Sequence, residues 1–229
     1  TGIGHMTNPP DSRRHDYGDD FPNYRGFLNR KCVTLAELLG SSGYSSYLAG
    51  KWHLGGDQKS RWPLQRGFDR FYGCIAGSTR FFSPDTDDRE GRGIFTGNQS
   101  VSKVRSTTER PYYTTDAFTD HAIRFIKEGD KKKPFFLYLS YTAPHWPHQA
   151  HEEDIDKYRG KYMKGWDELR KERHRRQIEL GLFGEKQKLS PRDEEVPAWS
   201  TLNLEKQKEM DLRMAVYAAM IDCIDQNCR

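Results

Sequence analysis

The sequence predicts an α/β sandwich, and three observations carry that prediction. A capped helical pattern followed by a glycine and an apolar strand occupies residues 34–49. The same order, helix then strand, returns at residues 115–141. The second strand, Phe135–Tyr141 (FFLYLSY), is a continuous apolar run, the pattern of a strand buried on both faces of a parallel sheet.

The elements follow in order. Thr1–Arg30 is rich in Gly, Pro, Asp, Asn and Arg and reads as ordered loop. Thr34-Leu35-Ala36-Glu37 is a capping box, Leu35, Leu38 and Leu39 offer an apolar face, and Gly43 stops the helix. The strand Tyr44–Ala49 begins at once. Residues 56–113 hold glycines, prolines and charges with short apolar pieces such as Phe68–Tyr72, and read as long loops with small strands. Thr115–Gly129 is a helix with Ala117, Phe118, Ala122, Phe125 and Ile126 on one side. A basic turn, Lys131–Pro134, leads into the second strand. Glu152–Gln187 is a charged helical stretch, Leu189–Ser200 is a loop with two prolines, and Leu204–Asn227 is an amphipathic helix with Met214, Tyr217, Ala218, Ile221 and Ile224 on one side.

Composition narrows the function classes. The chain has 229 residues, 34% hydrophobic and 31% charged, with a mean hydropathy of −0.95. That is enough for one sizeable core or two small ones. No apolar run approaches the roughly 20 residues of a membrane span. The net charge of +4 is weak support for a polyanion partner. The four cysteines form no CxxC pair, which argues against a tight zinc site. In the basic stretch from Lys157 to Arg176 glutamates are interspersed, which favours a solvated face over a groove for a sulfated polymer or nucleic acid. Residue 1 is Thr and the chain stops directly after a helical pattern, so the expectation is a fragment whose missing leader says nothing about export.

Two loops could carry chemistry. In Gly50-Lys51-Trp52-His53-Leu54-Gly55, Lys51 and His53 share a face if the strand continues through His53, and Trp52 points away. That would aim two cationic or proton-donating groups at one anion. The alternative is a surface turn anchored by Trp52. In Tyr141–His148 (YTAPHWPH), Pro144 and Pro147 stiffen the turn around His145. A histidine fixed at the carboxyl end of a strand is placed as a general acid or anion contact. The alternative is a loop whose His145, His148 and His151 face solvent. Trp146 can stack on a sugar or aryl group, or simply pack.

Taken together these segments resemble the sulfatases. GYSSYLAGKWHLG is similar to that family's second signature, RGFDRFYG to the segment after it, and PFFLYLSYTAPHWPH to its strand and histidine loop. LSPRDEEVPAW and MAVYAAMIDCIDQN also resemble parts of arylsulfatase-like members. The resemblance implies an alkaline-phosphatase-like α/β/α sandwich, incomplete at both ends. Residues 1–229 would be the central part of one catalytic domain, with a charged helical insertion over about 152–203. It implies hydrolysis of sulfate esters through a hydrated formylglycine made from Cys or Ser in C/S-x-P-x-R, beside a calcium ion. Lys51 would contact the formylglycine and the sulfate, His53 would assist collapse of the covalent sulfate intermediate, and His145 would contact the sulfate and protonate the leaving oxygen. Trp146 and His148 are candidate substrate contacts.

The departures are equally specific. No C/S-x-P-x-R occurs in the 229 residues, nor do the family's N-terminal acidic metal pair and late Asp-Asn-Gly motif. The nucleophile and the calcium ligands are therefore expected outside this chain, and the chain alone is expected to be inactive. The partners implied are a sulfated small molecule or glycan and, for the parent protein, a formylglycine-generating enzyme or anaerobic maturase. No nucleic acid and no membrane span is implied, and the location is periplasmic or secreted. The alternatives are a phosphodiester or phosphonate ester hydrolase of the same superfamily and a non-catalytic polyanion-binding module.

Overall fold

A computed structural model describes residues 27–56, 58–86, 93–106 and 110–229. Most of the N-terminal loop expected over Thr1–Arg30 lies outside the described residues. The chain divides into two compact units, one running to Pro147 and including Gln226–Arg229, the other spanning His148–Asp225.

The first unit is built on a five-stranded sheet. Helix α1 (Leu35–Ser41) is followed by strand β1 (Ser45–Lys51), β2 (Arg70–Cys74) and a short pair, β3 (Phe95–Thr96) and β4 (Gln99–Ser100). Helix α2 (Thr114–Glu128) then leads to β5 (Phe135–Ser140). The strand order is β4-β3-β2-β1-β5, with β2, β1 and β5 parallel and β3 and β4 antiparallel. Alternation along the strands sends side chains to two cores. Leu48 and Phe71 join Ala36, Trp52, Trp62 and Phe68 on one face. Tyr47 and Tyr72 join Phe118 and Phe125 of α2 on the other. Each buried Leu or Phe removes apolar area worth roughly 2–3 kcal/mol before entropy is counted.

The capping box forms as expected: the Glu37 N–H donates to Thr34 Oγ1 at 3.0 Å and the Thr34 N–H donates to Glu37 Oε2 at 2.8 Å. The face of α1 differs from the expected one. Leu35 and Leu38 are exposed and Ala36 is the buried residue, and the helix backbone at Ala36 and Glu37 passes so close to Gly67 that a Cβ there would collide with it. Strand β2 is one of the small strands expected within residues 56–113. It has five residues, begins on Arg70 and contains a glycine, so its apolar content is two aromatic rings. Strand β5 corrects the expectation of burial on both faces. It lies at the edge of the described sheet, and Phe135 and Tyr138 are 49% and 45% exposed.

The closest approach of the sheet is at Gly50 and Gly73, which are register partners. A Cβ on Gly50 would run into the Ser140 carbonyl, and one on Gly73 into the Gly50 carbonyl. Gly50 also has a φ of 126°, which side chains rarely adopt. Gly73→Ala is therefore expected to cost more than about 3 kcal/mol and to abolish soluble, cooperatively melting protein. Gly40→Ala, in α1 with open space around it, is the control. It should stabilise by about 0.5–1 kcal/mol. Thermal melts of the two variants check both outcomes.

In the second unit the charged stretch is broken into α3 (Glu152–Asp156) and α4 (Gly165–Glu179), and α5 begins at Leu204 and runs to Asn227. The buried side of α5 is Asp211, Ala215, Ala219, Met220 and Cys223, while Met214 and Ile221 are exposed. Small residues set that face: Ala215 and Ala219 let Ile155 approach and Asp211 accepts the backbone N–H groups of Gly160 and Tyr162, both at 2.8 Å. Three cations of α4 and its approach are paired on the surface, as Lys164–Glu172, Lys171–Glu168 and Arg175–Glu179. No disulfide joins the four cysteines. Among the described residues no helix is long and apolar enough to cross a membrane.

Candidate active site at the strand ends

Because β2, β1 and β5 are parallel, their carboxyl ends open on one edge of the sheet. Lys51 is the last residue of β1, in register with Cys74, and Gly50 is in register with Ser140. The Ser140 hydroxyl donates to the Lys51 carbonyl at 2.8 Å and ties the exits of β1 and β5 together. Pairing with the β2 side persists past the strands: the Trp52 N–H donates to the Cys74 carbonyl at 3.0 Å and the His53 N–H to the Ile75 carbonyl at 2.9 Å. The main chain that carries Lys51 and His53 is thus held from both sides.

Trp52 anchors this turn from below. It is buried, meets Phe68 edge-on at 6.0 Å, and its indole N–H donates to the Arg61 carbonyl at 3.0 Å. His53 departs from the expectation of a continuing strand. Its φ is 57°, so the alternation ends at Trp52 and the shared face of Lys51 and His53 cannot come from pleating. Its ring lies against Gly77, where a Cβ would collide with the imidazole. Lys51 is half-buried. Burial lowers its pKa from the ordinary 10.5, partly opposed by the Cys74 thiol. Among the described residues no carboxylate pairs with its ammonium.

The histidine loop starts one residue beyond Ser140. Tyr141 packs into the α2-side core, and its hydroxyl shares a 2.7 Å hydrogen bond with Thr119 of α2. The His145 N–H donates to the Thr142 carbonyl at 2.9 Å. The peptide bonds before Pro144 and Pro147 are both cis. His145 Nδ1 lies 2.6 Å from the Trp146 carbonyl, which can only accept, so Nδ1 carries a proton and Nε2 is the nitrogen left to exchange one. The Trp146 side chain is 65% exposed. His148 belongs to the second unit, where its ring meets Tyr217 edge-on at 5.5 Å.

The structure therefore brings Lys51, His53 and the loop of His145 to one sheet edge, while His148 sits in the other unit. Ser140, Gly73 and Gly77 support the site and were not singled out from the sequence. The signal available for Gly73 was its place at the end of RFYG, the only glycine in a run of core-forming rings. Among the described residues no group of three or more His, Cys, Asp or Glu side chains could hold a metal ion. The described residues thus offer no carboxylate cluster for a calcium ion.

Comparisons with known proteins bear on the family and the fold. The sulfatase family model matches residues 6–228. The chain is 35% identical over 213 residues to an uncharacterized sulfatase of Schizosaccharomyces pombe, covering 90% of this chain and 38% of that protein. It is 32% identical over 198 residues to an arylsulfatase of Klebsiella aerogenes, covering 86% of this chain and 42% of that protein. Its fold matches the solved structure of YidJ from Bacteroides fragilis, described as a sulfatase, with a TM-score of 0.51 and 16% identity over 88% of this chain and 39% of that one. The chain spans about two fifths of the length of the curated relatives it matches. The mixed α/β sheet is that of the alkaline-phosphatase-like fold, and the chain belongs to the sulfatase family.

Proposed function

We propose that the protein hydrolyses sulfate esters and that Lys51, His53 and His145 are its anion-binding and proton-transferring side chains. One observation supports this most: Lys51, whose half-buried ammonium has no carboxylate partner among the described residues, has its backbone carbonyl tied by Ser140 to the strand that launches the His145 loop. During S–O cleavage negative charge grows on the leaving oxygen. A fixed ammonium at the sulfuryl oxygens, and an imidazolium Nε2–H at the leaving oxygen, both stabilise that charge more than they stabilise the bound ester. His145 is suited to the second role because its Nδ1 is already committed to the Trp146 carbonyl. The left-handed turn holds the His53 imidazole beside Lys51 in sequence and offers a further site of proton exchange. Exposed Trp146 is a stacking surface for an aryl or sugar leaving group, and His148 is a candidate substrate contact.

Family membership brings formylglycine and calcium with it, and together they supply the nucleophile and its electrostatic support. No C/S-x-P-x-R occurs in the 229 residues, so the formylglycine is assigned to sequence other than this chain, and the described residues hold no group of three His, Cys, Asp or Glu for the calcium ion. The test is to produce the protein from its complete reading frame together with a formylglycine-generating enzyme and measure turnover of p-nitrophenyl sulfate and bis-p-nitrophenyl phosphate. Sulfate turnover by the complete protein, and none by the 229-residue chain, is the expected result. Preference for the phosphodiester, or sulfate turnover by the chain alone, would overturn the assignment.

A further inference from the structure

A cavity of about 320 Å³ in the second unit lies between α4 and the segment that returns along it. Its walls include Arg170, Arg173, His174, Phe183, Lys188 and Leu189, and no Asp or Glu. Lys171 and Arg175, elsewhere on α4, each meet a glutamate, as does Lys164 just before it. Arg170 Nη2 donates to the carbonyl and hydroxyl of Ser190, both at 3.0 Å, and to the Pro191 carbonyl at 3.3 Å, which pins the wall that carries Lys188. Arg173 and Lys188 pair with no carboxylate among the described residues, and the buried Nε2 of His174 has no hydrogen-bond partner there. The His174 and Phe183 rings stand 6.4 Å apart and, with Leu189, give the cavity an apolar side.

Cations gathered around a concave surface without a counter-charge repel one another and retain unspent donors. An oxyanion placed among them accepts from the guanidinium fork and the ammonium at once. The volume is at the small end of ligand pockets, room for one ring and one charged substituent rather than a polymer strand. The apolar side suits the C–H face of a pyranose. We propose that this cavity is a binding site for a monosaccharide-sized ligand bearing a sulfate or phosphate monoester, held by Arg173, His174 and Lys188. It does not depend on the catalytic reading, since none of its residues comes from the strand-end loops.

The test is isothermal titration of the 229-residue chain with N-acetylglucosamine 6-sulfate, N-acetylglucosamine 6-phosphate and unmodified N-acetylglucosamine. Either charged sugar should bind with a dissociation constant in the millimolar range or better, and the neutral sugar at least about tenfold more weakly. Which charged sugar binds more tightly identifies the monoester. Arg173→Ala with Lys188→Ala should weaken binding by about tenfold or more, and Lys188→Glu alone should weaken it too. Lys51→Ala with His145→Ala should leave this binding in place. The exposed positions of Arg173 and Lys188 allow their variants to fold, which circular dichroism checks. Absence of binding by both charged sugars overturns the proposal. So does equal binding of the neutral one, or binding lost with Lys51 and His145 and kept without Arg173 and Lys188.

Discussion

Lys51→Ala in the complete protein should lower kcat/KM for an aryl sulfate by about a thousandfold, the loss typical of a preorganised group aimed at developing charge. The folded state should not suffer, because the ammonium is half-buried with no carboxylate partner among the described residues, and removing it relieves desolvation. The pH dependence has a definite sign. Burial lowers the Lys51 pKa from 10.5, so its ammonium is lost earlier on the alkaline side than an ordinary lysine's. KM for a sulfate ester should rise as the pH climbs through that lowered value, and Lys51→Arg should move the rise to higher pH. His145→Gln should show a different signature. With a general acid removed, loss should reach about a hundredfold or more for an alkyl sulfate and stay small for p-nitrophenyl sulfate, whose leaving oxygen needs no proton. Equal losses on the two substrates would assign His145 to binding alone.

Arg66→Met should be the most damaging substitution far from the chemistry. Arg66 is 1% exposed, and its guanidinium joins three pieces of chain. Its Nε donates to Glu37 Oε1, Nη1 to the Leu28 carbonyl and Nη2 to the Cys32 carbonyl, each at 2.9 Å. Removing it strands two buried carbonyls and the carboxylate that closes the α1 capping box. A loss of about 3–5 kcal/mol is expected, or roughly 10 °C in melting temperature for a chain of this size. The acid limb of stability should change as well. Burial pushes the Glu37 pKa up, but the hydrogen bonds from Arg66 and the Thr34 N–H outweigh it, and the net value lies below 4.5. Stability from this pair is therefore complete above about pH 4.5 and is lost as the pH falls through the lowered value. Urea melts at neutral and acid pH should show that dependence in the native chain and its loss in Arg66→Met. Glu37→Gln, which keeps the cap but not the charge, should fall between the two.

What the residues revealed beforehand follows a physical division. Local signals were legible: the Thr34–Glu37 box, the two apolar strands and the Phe118–Phe125 face of α2 depend on near neighbours in the chain. A small strand was expected near Phe68–Tyr72, but its bounds and partner were not legible, since five residues with an arginine and a glycine carry no period until Leu48 and Tyr47 lie beside them. The miss on α5 came from weighing large side chains, when small ones let helices approach and so set the buried side. In the site, Lys51, His53 and His145 could be picked out by type and spacing. The left-handed turn at His53 and the Ser140 clamp could not, because each is fixed by a hydrogen bond to a distant element, Ile75 in one case and Lys51 in the other.

The partly exposed edge strand carries a consequence for the chain as a material. Among the described residues no strand pairs with the outer side of β5, whose row of peptide groups runs beside two large rings, the kind of surface on which copies of a protein add to one another edge to edge. Lys131, Lys132 and Lys133 stand immediately before that strand and act as electrostatic gatekeepers against such growth. Their protection is screened by salt. Concentrated stocks of this chain are thus best kept at low ionic strength, where three lysines repel what the β5 edge would otherwise recruit.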